Sequence, residues 1–368
     1  MRTYKLKELL SIKNGKDHKE LKNGTIPIFG SGGIMRFGDK AIYNDESILL
    51  PRKGTLSNIQ YVNKPFWTVD TIYYSIVNKQ LANPFYLYNF IKSLDLSKLN
   101  TGTGVPSMTF DSYYNLDIAL PELEVQQKIA SVLSSLDSKI ELNNRINAEL
   151  EAMAKTLYDY WFVQFDFPDK NGKPYKTSGG KMVWNEELKR DIPEGWEVDS
   201  IDSYAEVKKG ELITAKDAKE GSIKVIAAGI DFSYLHSTPN RLKNTITISG
   251  SGANAGFVNF WREPIFASDC ITVRGKCDSE TLILLQYLNF IQPHILNQAT
   301  GSAQPHVYPS DIKVLNYVIP PNPLIENYGK VVLPMNEEIG TNIVENQKLT
   351  DLRDWLLPML MNGQVKVN

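Results

Sequence analysis

The residues that could carry catalysis lie in two short stretches, and neither has the spacing that its chemistry requires. Asn83-Pro84-Phe85-Tyr86 approaches the [DN]-P-P-[YF] motif of adenine methyltransferases, but it lacks the second proline and no glycine-rich cofactor loop precedes it. The segment GSGANAG at 250–256 departs from the G-x-G-x-x-G spacing of a dinucleotide loop, and the four histidines are scattered without metal-ligand spacing. We therefore predict no active site, no metal and no cofactor, and we expect Pro84 to begin a helix.

Length and composition indicate a cytoplasmic protein of two domains. The 368 residues are more than one hydrophobic core usually organises, and 42% of them are apolar, which is typical of a globular chain. No apolar run approaches the roughly 18 residues that a membrane-spanning helix needs. The two cysteines, Cys270 and Cys277, do not provide a disulfide scaffold, which fits a reducing compartment.

The charges are distributed unevenly, although their formal sum is only −2. Residues 1–121 contain 15 Lys and Arg against 10 Asp and Glu, whereas residues 122–166 contain 4 against 8. Residues 196–321 contain 11 against 13, so this segment has no general basic bias. Because affinity for phosphate comes from clustered cations, any DNA contact in that segment would depend on local placement.

The sequence is internally repeated. TGTGVP at 101–106 returns as TGSAQP at 300–305, 199 positions later. At similar offsets, LKELLSIKNG (6–15) aligns with IDSYAEVKKG (201–210), and PFWTVDT (65–71) aligns with PIFASDC (264–270). A repeat of this length predicts two copies of one structural plan. The glycine and proline of each hexapeptide favour a structural role, while the hydroxyls and Gln304 leave contact with phosphate or base edges as the alternative.

Each copy begins with about 120 residues in which short β-prone runs alternate with Gly, Asn and Pro. Runs such as SILL, TITIS and DCITV predict strands, and apolar periodicity predicts helices at 84–94 and 280–292. We therefore predict an α+β fold with two similar mixed, mostly antiparallel β-sheet domains with short helices, at 1–120 and 196–320.

Each copy continues into a long helix, predicted at 121–165 in the first copy and, together with a tail, at 321–368 in the second. No glycine and no further proline occurs between Pro121 and Trp161, and apolar residues recur at alternating steps of four and three. This spacing predicts a long antiparallel two-helix coiled coil that separates the domains about a pseudo-twofold axis. In the second helix we expect a kink near Pro334 and an end near Pro358. Residues 166–195, rich in turn formers, are predicted to be a linker.

Asparagine occupies two adjacent core positions in each predicted helix seam. These positions are Asn143 and Asn147 in the first copy, and Asn342 and Asn346 in the second. A buried asparagine lowers stability but penalises any register in which its amide lacks a partner. We therefore predict that the four side chains meet in one central layer and fix the register. The alternative is that they lie exposed along an imperfect seam.

Paired helices of this length would hold two similar domains a fixed distance apart. About 35 helical residues at 1.5 Å each span about 50 Å. Domains at the two ends would face the same side of a DNA duplex more than one helical turn apart. The geometry therefore predicts a reader of a split DNA sequence with an unread spacer.

Several segments of the chain resemble one known family. TGSAQPHV, the IPPN that follows it, the terminus QKLTDLRDWLLPMLMNGQVKV, and YDYWFVQFDFPDKNGKPYKTSGG after the first helix are similar to specificity subunits of type I restriction-modification enzymes. The likeness covers nearly the whole chain, with its parts in the same order. In the first copy, TGTGVP lacks the glutamine that is usual in the family's hexapeptide.

This resemblance implies a non-catalytic DNA-binding subunit with two target recognition domains, each reading one half of a split site in double-stranded DNA. It also implies two bound modification subunits, which methylate adenine with S-adenosylmethionine, and restriction subunits joined through that complex. The helices would be the docking surface, where an aromatic cluster would pack against partners or within the helices' own core: Tyr158, Tyr160, Trp161 and Phe162. The alternative function is a coiled-coil adaptor that joins proteins without reading DNA.

The residues expected to contact DNA are donors and cations on loops that can enter the major groove. Arg36 and Arg52 are the leading candidates for bidentate contacts with guanine, and Asn254 is the expected adenine reader. PRKGTLSN (51–58) and SGSGANAG (249–256) differ strongly, so the two half-sites are expected to differ in sequence. The full set of predicted contacts is Lys16, Arg36, Lys40, Arg52, Lys53, Thr55, Asn58, Tyr234, His236, Arg241, Lys243, Ser251, Asn254, Arg262 and Gln304.

Overall fold

The computed structural model describes residues 1–96, 106–299, 305–365 and 367. The chain has an α+β fold and divides into two compact units. The first unit comprises Met1–Leu142 and Asn346–Asn368, and the second comprises Asn143–Glu345. Two long helices, over residues 123–158 and 322–361, cross this division. Each unit therefore contains a group of sheets and one part of each long helix.

The first unit arranges its strands in sheets of two, four and three strands. Its strands are β1 (Arg2–Lys5), β2 (Leu10–Asn14), β3 (Ile26–Gly30), β4 (Gly33–Gly38), β5 (Ser47–Pro51), β6 (Gln60–Val62), β7 (Trp67–Thr68), β8 (Ile72–Val77) and β9 (Asp117–Leu120). The strand orders are β1-β9, β2-β8-β5-β6 and β4-β3-β7. β3 and β7 run parallel, whereas the other pairs are antiparallel. The short helices are α1 (Leu6–Leu9), α2 (Pro84–Lys92) and α3 (Phe110–Tyr114).

The second unit adds one hairpin and otherwise has the same strand order. The hairpin consists of β10 (Met182–Asn185) and β11 (Arg190–Pro193). The other strands are β12 (Glu197–Ser200), β13 (Glu206–Lys209), β14 (Ile223–Ile226), β15 (Tyr234–His236), β16 (Thr245–Ser249), β17 (Val258–Trp261), β18 (Phe266–Ala267), β19 (Cys270–Arg274) and β20 (Asn316–Ile319). Their orders are β12-β20, β13-β19-β16-β17 and β15-β14-β18. The short helix α5 (Ile201–Tyr204), the longer α6 (Asp278–Ala299) and the short α7 (Pro309–Lys313) complete this part.

One fully buried strand lies inside the four-stranded sheet of each unit. β5 reads SILLP and β16 reads TITIS, and every residue of both strands is buried. Apolar and β-branched residues are favoured in a strand that is covered on both faces. In β5 the buried Ser47 hydroxyl donates to the Ser75 carbonyl at 2.7 Å, so its polar atom has a partner. The buried strand fixes the start of the loop that follows it.

The two helices that follow the sheets begin as the sequence predicts, but the second is longer than predicted. Asn83 caps α2, accepting a hydrogen bond from the Tyr86 amide at 3.0 Å, and Pro84 occupies its first turn. The predicted helix at 280–292 extends over Asp278–Ala299 and continues past Pro293. Burial of Ile295 beyond the proline favours this continuation, although proline removes one backbone hydrogen bond.

The first long helix, α4 (Leu123–Tyr158), ends in a π-helical turn at Asp159–Val163 that the sequence does not predict. Trp161 and Phe162 in this turn are buried. Their rings lie 5.9 and 5.2 Å from the Tyr328 ring, between ring centroids. These aromatic side chains therefore pack within the second unit, while Tyr160 stays partly exposed.

The second long helix, α8 (Asn322–Met361), continues through Gly329, Pro334 and Pro358. The predicted end near Pro358 is wrong, because the helix ends at Met361. Leu360 and Met361 are buried in the core of the first unit, so the last turn is held by apolar packing. Any bend at Pro334 leaves the helix uninterrupted. At Gly329 a Cβ atom would collide with the Ser279 hydroxyl, which explains a glycine inside this helix.

Within each unit the two helices contact each other through polar side chains. In the second unit Asn342 Nδ2 donates to Asn147 Oδ1 at 2.9 Å, and the Tyr328 hydroxyl donates to the Ala154 carbonyl at 3.4 Å. From residue 147 to residue 154 of α4, the contacting residue on α8 changes from 342 to 328. These two helix segments therefore run in opposite directions. In the first unit Arg353 Nη1 donates to Asp137 Oδ1 at 2.9 Å.

The predicted linker at 166–195 is an ordered part of the second unit. The Asp166 carboxylate accepts hydrogen bonds from the amide and the hydroxyl of Thr177, at 2.7 and 2.6 Å. The Phe167 ring stacks on the rings of Tyr175 and Trp196, with centroids 4.7 and 5.2 Å away. Aromatic stacking and the hairpin of β10 and β11 therefore give this segment defined structure, which its turn-rich composition does not predict.

Two general properties bear on function. Within the described residues, no helix is both long and apolar enough to cross a membrane. The same part of the chain has no group of three or more His, Cys, Asp or Glu side chains placed to hold a metal.

Candidate nucleic-acid interface

The loops that leave the two buried strands have the same backbone pairing in both units. Loop A is residues 51–58 and begins at the last residue of β5, and loop B is residues 249–256 and begins at the last residue of β16. In the first unit Met108 donates to the Arg52 carbonyl at 3.0 Å, and Gly54 donates to the Pro106 carbonyl at 2.9 Å. In the second unit Val307 donates to the Gly250 carbonyl at 3.0 Å, and Gly252 donates to the Pro305 carbonyl at 3.2 Å. Each loop is therefore held against the last residue of its hexapeptide and the residues that follow it.

A glycine in a left-handed conformation allows each loop to turn at this pairing. Gly54 has φ +89° and Gly252 has φ +74°. Residues with a side chain rarely adopt these angles, because Cβ then crowds the following carbonyl. A Cβ on Gly54 would also lie 3.3 Å from the Ser31 hydroxyl, whereas the space around Gly252 is open. The two loops thus share a backbone turn and differ in how closely it is packed.

Loop A presents cations and a hydroxyl. Arg52 is half-buried: its Nη1 donates to the Asp70 carbonyl at 3.3 Å and its guanidinium lies 6.0 Å from the Tyr73 ring centroid. Burial raises the pKa of Tyr73, so this ring stays neutral beside the guanidinium. Lys53 and Thr55 are exposed. Loop A therefore offers one oriented arginine and one exposed lysine.

A hairpin formed by β3 and β4 packs against loop A. Asn58 Nδ2 donates to the Ser31 carbonyl at 2.6 Å, and Gln60 Nε2 donates to the Gly30 carbonyl at 3.2 Å. The Asn58 amide, a predicted base contact, thus ties the hairpin to the loop. The outer strand β4 exposes three large apolar side chains: Ile34, Met35 and Phe37.

Among the other predicted contacts in the first unit, one side chain makes internal hydrogen bonds and two are exposed. Arg36 donates from Nε to His18 Nδ1 at 3.1 Å and from Nη2 to the carbonyls of His18 and Leu21. Its guanidinium therefore braces the segment before β3. Lys16 and Lys40 are exposed, and the backbone of Lys16 is fixed by hydrogen bonds with Thr68 and the Trp67 indole.

Loop B presents small polar side chains and has no cation of its own. The Ser251 hydroxyl donates to Asp269 Oδ2 at 2.8 Å, which orients this side chain. Asn254 lies exposed at the end of a short 3-10 turn over Gly252–Asn254. The next two residues are buried, and a Cβ on Gly256 would lie 3.0 Å from Ile295 in α6. Loop B therefore exposes Asn254 to solvent next to two tightly packed residues.

Three of the residues predicted to contact DNA near loop B make hydrogen bonds inside the second unit. The Tyr234 hydroxyl donates to the Ile213 carbonyl at 2.6 Å, and the buried His236 Nδ1 accepts from the Lys219 amide at 3.0 Å. Arg241 donates to Thr272 Oγ1 at 3.1 Å and to the Lys209 carbonyl at 3.0 Å. Lys243 stays exposed. The hairpin of β14 and β15 again exposes large apolar side chains, namely Ile230, Phe232 and Leu235.

Two further predicted contacts lie away from loop B or outside the described residues. Arg262 points to the long helices, where Nε donates to Asn336 Oδ1 at 2.9 Å and Nη2 donates to Glu151 Oε1 at 3.1 Å. Asn336 is not among the predicted site residues, because one polar residue off the predicted helix seam has no distinguishing sequence pattern. Gln304 lies outside the described residues.

The four predicted register residues lie along the helices with different burial. Asn143 and Asn342 are buried, whereas Asn147 and Asn346 are half-buried. In the second unit Asn342 pairs with Asn147, as described above, and Asn143 Nδ2 donates to Glu345 Oε2 at 2.7 Å. Each of these contacts gives the side-chain nitrogen of a buried asparagine a partner on the opposite helix.

The chain is similar to proteins of one family. It matches the family model described as "Type I restriction modification DNA specificity domain" over residues 1–152 and 193–326. It is 27% identical over 351 residues to the Type I restriction enzyme MjaIX specificity subunit of Methanocaldococcus jannaschii, covering 89% of this chain and 79% of that one. It is 24% identical over 344 residues to the Type I restriction enzyme HindI specificity subunit of Haemophilus influenzae, covering 73% of each.

A solved structure has the same fold. The S subunit of a Type-I restriction-modification system from M. genitalium superposes with a TM-score of 0.65 at 18% identity, covering 98% of this chain and 95% of that one. The family match includes both sheet domains and loops A and B. These findings favour a non-catalytic subunit that recognises DNA over the adaptor alternative. The chain therefore belongs to the family of type I restriction modification DNA specificity domains.

Proposed function

We propose that each unit reads one half of a split DNA sequence through the loop that follows its buried strand. One observation carries this proposal. Loops A and B keep the same pairing to the segment behind them and the same left-handed glycine, but differ in nearly every side chain. A constant backbone with variable side chains suits two readers of different base sequences.

In the first unit the proposed contacts combine base reading with phosphate binding. Arg52 is held by Asp70 and Tyr73, and an oriented guanidinium can make two hydrogen bonds to guanine. Lys53, Lys16 and Lys40 are exposed and suit phosphate contacts. Thr55 and Asn58 line the same loop. The side chain of Arg36 is already committed to His18 and Leu21, so we assign it to support of the loop region.

In the second unit the proposed base contacts are short and uncharged. Asn254 can pair with adenine through its amide, and Ser251 is oriented beside it by Asp269. Lys243 is exposed and supplies a phosphate contact. Tyr234, His236 and Arg241 make internal hydrogen bonds, which suits a supporting role behind the loop. Gln304 remains a proposed contact from the sequence alone.

We further propose that α4 and α8 form an antiparallel coiled coil of a tandem repeat, and that it separates the two readers. The opposed helix segments and the pair formed by Asn147 and Asn342 support this arrangement. Asn143 and Asn346 would complete the register-setting layer. At about 1.5 Å per residue, helices of 36 and 40 residues span more than one turn of DNA.

The same reasoning gives the partners and the location. The relatives are named as specificity subunits of type I restriction enzymes, so we propose that two modification subunits and, through them, restriction subunits bind this chain. The chemistry on adenine would belong to those subunits. We place the complex in the cytoplasm, where it meets DNA.

Methylation mapping tests the proposed function directly. The chain is expressed with its modification subunits in a host that lacks adenine methylation, and modified positions are read across the genome. We expect one split motif with two different halves and a constant unread spacer. A variant in which residues 251–254 are replaced by different polar residues should change the sequence of only one half of the motif. A continuous motif, or no motif at all, would contradict the proposal.

A further inference from the structure

A chain of polar contacts joins the sheets of the second unit to its two long helices. Arg262, which follows β17, donates to Asn336 of α8 at 2.9 Å and to Glu151 of α4 at 3.1 Å. Asn336 Nδ2 in turn donates to Asn244 Oδ1 at 3.1 Å, in the turn before β16. One arginine thus contacts both helices, and one asparagine of a helix contacts two places in the sheet domain.

The part of this contact chain at Asn336 and Asn244 is buried, whereas its Glu151 end is exposed. Asn336 is 5% exposed and Asn244 is 6% exposed. Burial lowers the pKa of Arg262, while Glu151 raises it, so the carboxylate offsets part of the cost of burying the charge. The Arg262 guanidinium also lies 5.2 Å from the Phe260 ring centroid. Hydrogen bonds in such surroundings are costly to break, because a buried partner would be left unsatisfied.

Both ends of the Asn336 amide are used, so the contact is directional. Its oxygen accepts from Arg262, and its nitrogen donates to Asn244. Asn244 has φ +59°, and its own nitrogen donates to Asp278 Oδ2 at 2.9 Å, at the start of α6. Asp278 then accepts from Arg274 Nη2 at 3.0 Å. These hydrogen bonds connect the long helices to β16 and β17, which flank loop B, and to the start of α6.

The corresponding place in the first unit is different. By the repeat offset of 199, Asn63 stands where Arg262 is, and Asp137 stands where Asn336 is. Asp137 accepts from Arg353 on the other long helix. Asn63 and Asp137 line an open, largely polar cavity of about 610 Å³, whereas the cavity beside Arg262 and Asn336 measures about 370 Å³. The first unit therefore uses this helix position for helix pairing.

We propose that Arg262 and Asn336 are positioning residues that fix the second reader on the helices and so set the spacer length this protein accepts. The proposal rests on the proposed reading of a split site. One added base pair moves a half-site by about 3.4 Å and rotates it by roughly 35°. The clamp adds resistance to that rotation beyond the apolar core that joins the sheets to the helices. A reader without the clamp can therefore follow the rotation further.

The test uses the full chain with its modification subunits and duplexes that carry the mapped site. The spacer has its native length, one base pair more or one base pair less. For the unaltered protein we expect binding to weaken at least about tenfold with either altered spacer. Arg262→Met keeps the stem of the side chain and removes the hydrogen bonds. It should reduce this penalty to within about threefold, with base preference in each half-site unchanged.

Two controls separate positioning from simple loss of structure. Asn63→Ala at the matched place in the first unit should keep the full spacer penalty. Arg262→Lys keeps the charge and should recover part of the penalty, and Asn336→Leu provides an independent break if Arg262→Met does not fold. Melting curves identify the folded variants, and only those enter the comparison.

The outcomes distinguish the two proposals. If the unaltered protein discriminates spacers and the folded Arg262 and Asn336 variants discriminate equally well, the clamp is overturned and the split-site function stands. If the unaltered protein shows no spacer preference or no sequence preference, the proposed function fails and the clamp fails with it. A relaxed spacer preference in the variants, with Asn63→Ala unaffected, supports the clamp.

Discussion

Loops A and B occupy equivalent places after equivalent buried strands, yet they differ in charge. Loop A carries Arg52 and Lys53, whereas loop B carries serine, asparagine and small residues. The backbone pairing behind the loops is the same in both units. The main chain therefore sets where each loop lies, because its hydrogen bonds do not depend on side chains. What the loop reads is left to the residues between the two anchors.

The difference in charge also divides the work of binding. Cations near phosphates supply affinity that depends on salt, whereas amides and hydroxyls on base edges supply discrimination. We therefore expect the first unit to contribute more of the salt-dependent attraction. The second unit, with Ser251 held by Asp269, should contribute discrimination at little electrostatic gain.

The largest expected effect comes from Arg52. Arg52→Ala removes the oriented guanidinium of loop A and should cost about 1–3 kcal/mol of discrimination at one base pair of the first half-site. Binding to a panel of duplexes with single base changes in both half-sites measures this effect. Asn254→Ala is the matched control and should relax only the second half-site. Equal relaxation of both half-sites by Arg52→Ala would count against the assignment.

The next effect concerns the shared glycine turn. Gly54→Ala should destabilise the protein by about 1–2 kcal/mol, because alanine is strained at φ +89°. Gly252→Ala should cost less, because open space surrounds that position while Ser31 lies beside Gly54. Urea unfolding of both variants measures the difference. Full stability of both variants would show that the turn is not under this constraint.

A smaller effect is expected from Lys53, whose ammonium is exposed. Lys53→Ala should weaken binding to all sequences and reduce the slope of log affinity against log salt by about 1. Asn254→Ala should leave that slope unchanged, because it removes no charge. Titrations at several salt concentrations provide the measurement. A change in base preference with an unchanged slope would move Lys53 from phosphate contact to base contact.

Much of the local structure follows from sequence patterns. Pro84 after Asn83 predicts the start of α2, and the uninterrupted apolar spacing after Pro121 predicts α4. Patterns fail where a tertiary contact decides the outcome. The burial of Leu360 and Met361 carries α8 past Pro358, and stacking of Phe167 orders a segment that reads as a linker. The residues that pack against Leu360 and Met361, and the Trp196 ring that stacks on Phe167, are distant in the sequence. A local sequence pattern therefore cannot identify these contacts.

The candidate site is less predictable than the fold for a related reason. The sequence identifies the loops, because loops A and B stand at matching places in the repeat. It does not show where an arginine points. Arg36, Arg241 and Arg262 look alike in a charge count, yet each is committed to different internal acceptors. Which arginines are committed to internal acceptors is decided by the folded surroundings, and a count of cations does not show it.

The smallest expected effect concerns the apolar side chains that the two hairpins expose. Both hairpins expose large apolar side chains, and such side chains can contact the methyl group of thymine in the major groove. Replacing thymine by deoxyuridine in the first half-site removes only that methyl, so we expect binding to weaken by roughly fourfold, the value of about 0.8 kcal/mol for one buried carbon. Met35→Ser should make the protein insensitive to this replacement, whereas deoxyuridine in the second half-site should still be felt. A first half-site without an A·T pair, or a Met35 variant that still distinguishes the two bases, would assign the exposed apolar strand to some other contact.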